Sequence, residues 1–369
     1  MLTPGQSTKN ALGNVLLMRT IIRVISINIA VLLFGIISCE VFFGNWIFGP
    51  DYRALNIPRN TERVFDVENL YSSGGKIKYT RDENGFRGPY DNVSLIDVLT
   101  LGGSTTNQLY VDDDKTWQSE MRRLFADQGN PISIVNAGVD GQSSRGHNVV
   151  FDRWFSQIEN LNARFVIVYA AINDIALRGA VKYDDMHSPD PTRRFAAWVK
   201  NKSAIYELYK IFKGMYLARN AAVIHGSGVV AYAKWSRWMR RDETQEAPPE
   251  YTEQLLSFET RLRRLAERIR AFGAEPIFVT QPSAEYRLDG EWILLPAVKD
   301  MPSVAPQVIV LHLFNDIVMQ TCLDVKAVCV DVAGNVEFRD GDFYDRIHNT
   351  DRGAKKIGTY LFKALKERL

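Results

Sequence analysis

The chain has 369 residues, of which 46% are hydrophobic and 24% are charged, and these shares are typical of a globular protein with a substantial core. Its formal net charge is only +2, and no tract of Lys and Arg alternates with aromatic residues along one face, which argues against nucleic-acid binding. The cysteines Cys39, Cys322 and Cys329 form no Cys-x-x-Cys pair and have no suitably spaced histidine neighbours. We therefore expect neither a metal site nor a cofactor.

Residues 24–43 form an apolar run of about the length that crosses the core of a bilayer. Lys9, Arg19 and Arg23 precede this run, and no acidic residue does. Positive charge is retained on the cytoplasmic side of a membrane. We therefore predict that residues 1–23 are cytoplasmic, that 24–43 are a single-pass signal-anchor, and that the chain after about residue 45 is extracytoplasmic, in the periplasm.

Two alternatives to an uncleaved anchor remain open. Residues 36–39 (Ile-Ile-Ser-Cys) resemble a bacterial lipobox, which would make the segment a cleaved signal and Cys39 a lipid-bearing N-terminus. The apolar sequence runs on through Phe43 instead of giving way to a polar linker, which favours the anchor. The second alternative is a helix buried in the core.

An extracytoplasmic location would bear on Cys322 and Cys329, because disulfides form and persist in oxidising compartments. The two residues flank a predicted helix-to-strand connection and could close a disulfide there. The alternative is a pair of small buried apolar side chains.

Residues 44–90 are polar and rich in turn residues, which predicts a connector, and residues 91–369 form the main domain. There, continuous runs of Val, Ile and Leu alternate with amphipathic stretches, as in a parallel sheet covered on both faces. The predicted class is a three-layer α/β/α sandwich with a parallel sheet. The predicted strands are 94–103, 132–138, 164–174, 275–282 and 327–332, and the predicted helices are 115–127, 145–160, 251–272, 304–323 and 351–367.

Residues 181–245 break this alternation and are interpreted as a helical insertion that caps the carboxyl edge of the sheet. They include an aromatic amphipathic helix near 203–219 and a basic stretch at 234–241. We interpret the basic stretch as a solvated helix whose Trp235 and Trp238 pack on the domain. The alternative is that these tryptophans lie against anionic lipid.

Functional groups of such a sheet collect at the carboxyl ends of its strands. Ser104 follows two glycines at the end of the first predicted strand, and Gly138 and Asn173 follow the next two. Asp345 and His348 lie three residues apart, just before a helix that Thr350 could cap. A serine hydroxyl needs an imidazole to take its proton and an orienting group to fix the imidazole tautomer. These residue types predict a catalytic triad.

In this triad Ser104 attacks, His348 is the base and Asp345 orients the imidazole. A charged tetrahedral intermediate also needs preorganised donors. We expect the N–H groups of Ser104 and Gly138 and the side-chain amide of Asn173 to form this oxyanion hole.

The order of these residues resembles that of the SGNH (GDSL-type) hydrolases, over about residues 84–369 with a gap for the insertion. The matching blocks are LGGSTT, NAGVDGQSS, AAINDI and DRIHNTDRGAKKI. The sequence departs from the family where Gly103 replaces a frequent Asp and Ala171 replaces a Gly; these changes leave the attacking and proton-transferring groups in place. The resemblance implies a flavodoxin-like fold and a metal-free Ser-His-Asp acyl-enzyme mechanism, with Asp174 bracing the oxyanion loop.

The acceptor of the acyl group separates two enzyme activities. With water the protein is an esterase, and with a sugar hydroxyl it is an O-acyltransferase that modifies a cell-surface polysaccharide. We expect an esterase that cleaves O-acyl, in particular acetyl, esters of an envelope glycan or lipid, because a membrane tether favours a substrate fixed in the envelope. A catalytically silent envelope binding module is the alternative of another class.

Overall fold

The computed structural model describes residues 4–44, 46, 57–175, 177, 191–206, 208–209, 212, 234–241, 243, 248–297 and 304–369. Its first element is the long helix α1 (Pro4–Phe43), which contains the predicted span. The stretch Met18–Phe43 is long and apolar enough to cross a membrane, and it is not buried inside the protein. A core helix would be covered by other elements, so the buried-helix alternative is wrong. A membrane anchor and a signal sequence both fit this helix.

The main domain is built on a parallel sheet of five strands: β3 (Ile96–Gly102), β4 (Ile134–Asn136), β5 (Ala163–Tyr169), β7 (Glu275–Val279) and β10 (Val328–Val330). Their order across the sheet is β10-β7-β5-β3-β4. The expected sheet is thereby confirmed, although β4 and β10 are shorter than predicted.

Helices cover both faces of this sheet, which confirms the three-layer α/β/α class. Side chains alternate along each strand, so that Leu99 belongs to one apolar core cluster and Val98 to the other. The first cluster includes side chains of α4 (Ser144–Arg153), α7 (Thr252–Ala271) and α8 (Val304–Asp324). The second includes side chains of α3 (Trp117–Asp127) and α10 (Asp351–Leu365). The short helices are α2 (Ser104–Asn107), α5 (Ile172–Ile175) and α9 (Val332–Asn335).

Part of the expected connector forms an antiparallel hairpin, β1 (Thr61–Asp66) and β2 (Lys76–Arg81). The hairpin and its loop pack on the domain through an apolar cluster that includes Tyr71, Ile77 and Tyr344. Tyr344 lies four residues before His348 in the same loop. The hairpin therefore contacts the loop that carries the predicted catalytic histidine.

The expected insertion lies largely outside the described residues. Its described parts are α6 (Pro191–Lys202), helical residues at 204–206, 208–209 and 212, and β6 (Trp235–Arg240). The prediction of a helix at 234–241 is wrong, because this segment forms the strand β6. This segment pairs antiparallel with β9 (Trp292–Pro296), which also pairs with β8 (Arg287–Asp289). A bulge between Arg237 and Met239 interrupts the two-residue alternation of a strand, which explains why the sequence pattern did not indicate one.

Candidate active site

The candidate nucleophile Ser104 lies where β3 ends, as the first residue of the four-residue helix α2. The first N–H groups of a helix have no partner within it, so the backbone of Ser104 is available as a donor. Its side chain is half-buried, at the carboxyl edge of the sheet.

The loop before α10 carries Asp345 and His348 and is held by the aspartate itself. Asp345 Oδ1 accepts hydrogen bonds from the N–H groups of Ile347 (2.9 Å) and His348 (2.7 Å). The N–H of Tyr344 donates to the carbonyl of His348 (3.0 Å), which closes the turn. Thr350 caps α10, as predicted, by accepting from Gly353 N–H. The histidine therefore has a fixed position on a rigid support.

A continuous chain of hydrogen bonds joins the three predicted catalytic residues. His348 Nε2 lies 2.7 Å from Ser104 Oγ, and His348 Nδ1 lies 2.6 Å from Asp345 Oδ2. The structure thus brings together residues that are 244 positions apart in the sequence. With Nδ1–H donating to the carboxylate, Nε2 carries the lone pair that can accept the serine proton.

Asp345 is held in its charged form. Burial raises the pKa of this carboxyl, but hydrogen bonds and the charge of His348, with the two backbone N–H groups, outweigh it, so the pKa lies below its ordinary value. An ionised carboxylate is the form that accepts the Nδ1–H of a histidine.

An aromatic stack supports the histidine from one side. The ring of Tyr344 lies parallel to that of His348, with centroids 5.6 Å apart and an interplanar angle of 8°. Tyr71, from the loop of the β1–β2 hairpin, stacks in turn on Tyr344 at 5.9 Å. No sequence motif marks these two tyrosines, and only the fold brings them together.

Gly103 leaves the space that the side-chain amide of Asn173 occupies. A Cβ atom at this position would lie 2.1 Å from Asn173 Nδ2 and 3.2 Å from the carbonyl oxygen of Gln142. Asn173 Nδ2 donates one hydrogen to that same carbonyl (2.9 Å), which fixes its amide beside Ser104 and leaves its second hydrogen for another acceptor. In this conformation the amide of Asn173 lies where a Cβ atom of residue 103 would be.

The expectation that Gly138 supplies an oxyanion-hole N–H is wrong. Its N–H donates to Asn136 Oδ1 (2.8 Å), and its carbonyl accepts from Arg81 Nη2 (2.6 Å). Gly138 is buried against the backbone of residues 106–107, so both of its polar groups serve the packing of the loop. Because this N–H already donates its hydrogen to a buried side chain, it is not available to donate to the oxygen of a substrate.

Gly141, three residues further along the same loop, is the better candidate donor. It is half-buried, has a φ of 73°, and directly precedes the Gln142 carbonyl that accepts from Asn173. Among the residues that the structure describes, none accepts a hydrogen bond from its N–H. The Asp-Gly pair at 140–141 is a turn signal that could have drawn attention to it.

Asp174 braces the loop from beneath. Its carboxylate accepts from the N–H (3.0 Å) and Oγ (2.5 Å) of Ser144 and pairs with Arg261 at 3.1 Å. Burial raises the pKa of Asp174, and Arg261 and Ser144 oppose that rise. These bonds join α4, α5 and α7 under Asn173, in the position expected for a supporting residue.

Cys322 and Cys329 are joined in a disulfide that spans the connection from α8 to β10. Across the described part of the chain, no three His, Cys, Asp or Glu side chains are grouped as a metal ion would need.

A parallel α/β sheet with a serine at a strand end, hydrogen-bonded to a His-Asp pair, is an arrangement that ester hydrolases use. The model of the GDSL-like lipase/acylhydrolase family matches residues 100–356, so the chain belongs to this family. The protein is an ester-bond hydrolase.

No curated protein sequence matches the chain. Similar solved structures include TesA, at 14% identity over 74% of this chain and 99% of the other, with a TM-score of 0.42. The acetylxylan esterase Axe2 from Geobacillus stearothermophilus is 13% identical over 73% and 94%, with a TM-score of 0.39. The esterase EstA from Pseudoalteromonas sp. is 12% identical over 73% and 97%, with a TM-score of 0.38. The family assignment comes from the sequence match over residues 100–356.

Proposed function

We propose that the protein is a membrane-anchored, extracytoplasmic serine esterase in which Ser104, His348 and Asp345 form the catalytic triad. The observation that carries this proposal is the pair of short contacts at His348, 2.7 Å to Ser104 Oγ and 2.6 Å to Asp345 Oδ2. A nucleophile, base and orienting carboxylate within hydrogen-bond reach are what activation of a serine needs.

The reaction proceeds through an acyl-enzyme. Ser104 Oγ attacks the ester carbonyl carbon while its proton passes to His348 Nε2, and the carbonyl oxygen becomes an oxyanion. His348 then protonates the leaving alcohol as the bond from carbon to the alkoxy oxygen breaks. Water, deprotonated by His348, attacks the acyl-enzyme, and the carboxylic acid leaves as Ser104 recovers its proton.

The oxyanion is stabilised by the N–H groups of Ser104 and Gly141 and the amide of Asn173. Each such donor contributes about 10²–10³ in rate in other hydrolases. This assignment follows from the occupied N–H of Gly138 and the position of Asn173 beside Gly103.

Labelling with a fluorophosphonate tests the triad, because this reagent traps a serine that a base has activated. The full chain in detergent is treated with the reagent and analysed by intact mass. We expect a single adduct that is lost in Ser104→Ala and kept in Ser72→Ala, an exposed serine that serves as the matched control. Absence of an adduct on the folded wild-type protein would refute the proposal and favour a silent binding module.

We further propose that the substrate is an O-acyl, in particular acetyl, ester of an envelope glycan or lipid. The support is the apolar helix α1, whose span Met18–Phe43 can hold the enzyme at a membrane with its N-terminus in the cytoplasm. The Cys322–Cys329 disulfide fits a catalytic domain in an oxidising compartment such as the periplasm.

A comparison of whole cells tests the substrate class. Cells that carry only Ser104→Ala should accumulate O-acetylated glycan or lipid esters relative to wild-type cells. An unchanged profile of O-acetyl groups and lipid esters would contradict this assignment, whereas a loss of O-acetyl groups in the mutant would indicate acyl transfer to the glycan.

A further inference from the structure

A set of exposed apolar side chains lies on α6 and on the helical residues that follow it. We call this set the interfacial patch. Its members are Phe195, Trp198, Ile205, Leu208 and Phe212, with exposed fractions of 64%, 40%, 37%, 45% and 62%. Exposed apolar groups that lie together on a soluble domain mark a site of interaction with a partner or a membrane.

The patch is attached to the end of α1 through Glu40. Glu40 Oε1 accepts from Ser203 Oγ (2.6 Å) and from Ile205 N–H (3.2 Å), and Oε2 accepts from Ala204 N–H (3.0 Å). The same carboxylate accepts from Trp46 Nε1 (2.7 Å). Four donors thus satisfy a charge that the end of an apolar helix would otherwise leave exposed to lipid.

Ring contacts continue this connection into α6. The ring of Trp46 packs edge-to-face on Trp198 with centroids 5.7 Å apart, and Trp198 stacks on Phe195 at 5.8 Å. The patch is therefore continuous with the exit of the apolar helix and is held at the level of Glu40.

The length of α1 places that level at a membrane surface. From Arg19 to Glu40 the helix advances 21 residues, which at 1.5 Å per residue is about 32 Å. The hydrocarbon core of a bilayer is about 30 Å thick. With Arg19 at one boundary of the core, and Arg23, one turn further along, extending its long side chain back to that boundary, Glu40 and the patch lie at the other boundary.

The composition of the patch suits that boundary. Trp and other amphipathic aromatic residues concentrate at the headgroup level of bilayers. Lys200 and Lys202 accompany them, with Nζ atoms 5.8 Å from the ring of Tyr206 and 5.7 Å from that of Trp198. Basic groups beside apolar rings favour a surface of anionic phospholipid.

We propose that the interfacial patch inserts into the headgroup region of the same bilayer that α1 spans, on the side of the catalytic domain. The patch is a second membrane contact, which fixes the height and orientation of the domain that α1 alone would leave free to rotate. The proposal rests on the proposed anchoring by α1 and adds a lipid-binding surface to it.

Electron paramagnetic resonance of the full chain in nanodiscs of phosphatidylethanolamine and phosphatidylglycerol tests this. Single cysteines for nitroxide labelling are introduced in a Cys39→Ser background, at Leu208→Cys and Phe212→Cys in the patch. Leu95→Cys, on an exposed side chain of the main domain, is the matched control, and Val31→Cys within the span is the reference for anchoring. Collisions with oxygen report lipid, and collisions with a water-soluble nickel chelate report water.

We expect the ratio of oxygen to nickel accessibility at 208 and 212 to be several-fold higher than at 95 and lower than at 31. A lipid-like label at 31 with labels at 208 and 212 as wet as that at 95 would overturn the interfacial contact and leave the anchor intact. A wet label at 31 would instead contradict the anchoring on which the proposal rests. Spin-spin broadening at 208 with no lipid contact would show that a second copy covers the patch, which also overturns the proposal.

Discussion

Substitution of Gly103 by alanine tests the packing that places the amide of Asn173. The new Cβ would lie 2.1 Å from Asn173 Nδ2, far inside contact distance, so the amide must move. That movement breaks its 2.9 Å hydrogen bond to the Gln142 carbonyl and takes it away from the developing oxyanion. Loss of one such donor costs about 10²–10³ in kcat, or about 2.7–4 kcal/mol of transition-state stabilisation. We expect Gly103→Ala to lose kcat within this range.

A double-mutant cycle separates this mechanism from general damage to the fold. Hydrolysis of p-nitrophenyl acetate is measured for Gly103→Ala, Asn173→Ala and the double variant, with thermal unfolding of each protein as the control. Because Asn173→Ala removes the amide and opens the space that the new methyl group needs, the double variant should be close to Asn173→Ala alone. Additive losses, or wild-type kcat in Gly103→Ala, would refute the packing argument.

Three further variants test the rest of the site and the fold. Asp345→Asn should lower kcat for p-nitrophenyl acetate about 10⁴-fold, since it no longer fixes the tautomer of His348. The pKa of Asp345 in the folded protein lies below the ordinary 3.8, so its ionised form stabilises the fold above that pH. This contribution is lost as the pH falls through the folded pKa. The difference in unfolding free energy between wild type and Asp345→Asn, measured by urea titration, should therefore decrease below about pH 4. Reduction of the disulfide between Cys322 and Cys329, seven positions apart, should lower the free energy of unfolding by about 2.5 kcal/mol, and the same reductant should leave a Cys322→Ala, Cys329→Ala variant unchanged. Asp174→Ala removes the buried carboxylate that pairs with Arg261 and accepts from Ser144, and it should cost about 3–5 kcal/mol of unfolding free energy; a loss below about 1 kcal/mol would contradict the bracing role.

The parallel sheet could be predicted because its strands are short apolar runs whose local pattern agrees with their buried position. Leu99 and Val98 face opposite cores, yet both are apolar, which is the pattern of a strand covered on two sides. Ser104, Asp345 and His348 can be predicted as a triad because their residue types, their places next to a strand end and a helix start, and the order they share with the family indicate that chemistry. The contacts among them depend on the fold, which the sequence does not display.

The predictions that are wrong concern residues whose structure depends on contacts with residues that the sequence pattern does not reveal. The choice between Gly138 and Gly141 depends on the side chain of Asn136, which occupies the N–H of Gly138. Nothing in the order of residues reveals that bond. The sequence does not predict the strand around Trp238, since its bulge removes the alternation and its pairing partner lies about 55 residues further along the chain.

The contacts of the β1–β2 hairpin give the segment between α1 and the main domain a second role besides connecting them. Arg81, within the expected connector, donates to the carbonyl of Gly138 and to Asn107 Oδ1, and Tyr71 stacks on the tyrosine that faces His348. The segment that the sequence predicts as a connector thus also supports the loops that carry the candidate catalytic residues. The contacts of Arg81 and Tyr71 constrain the length and sequence of this segment. Replacing it with the corresponding segment of a homologue would therefore also change the contacts that support the site.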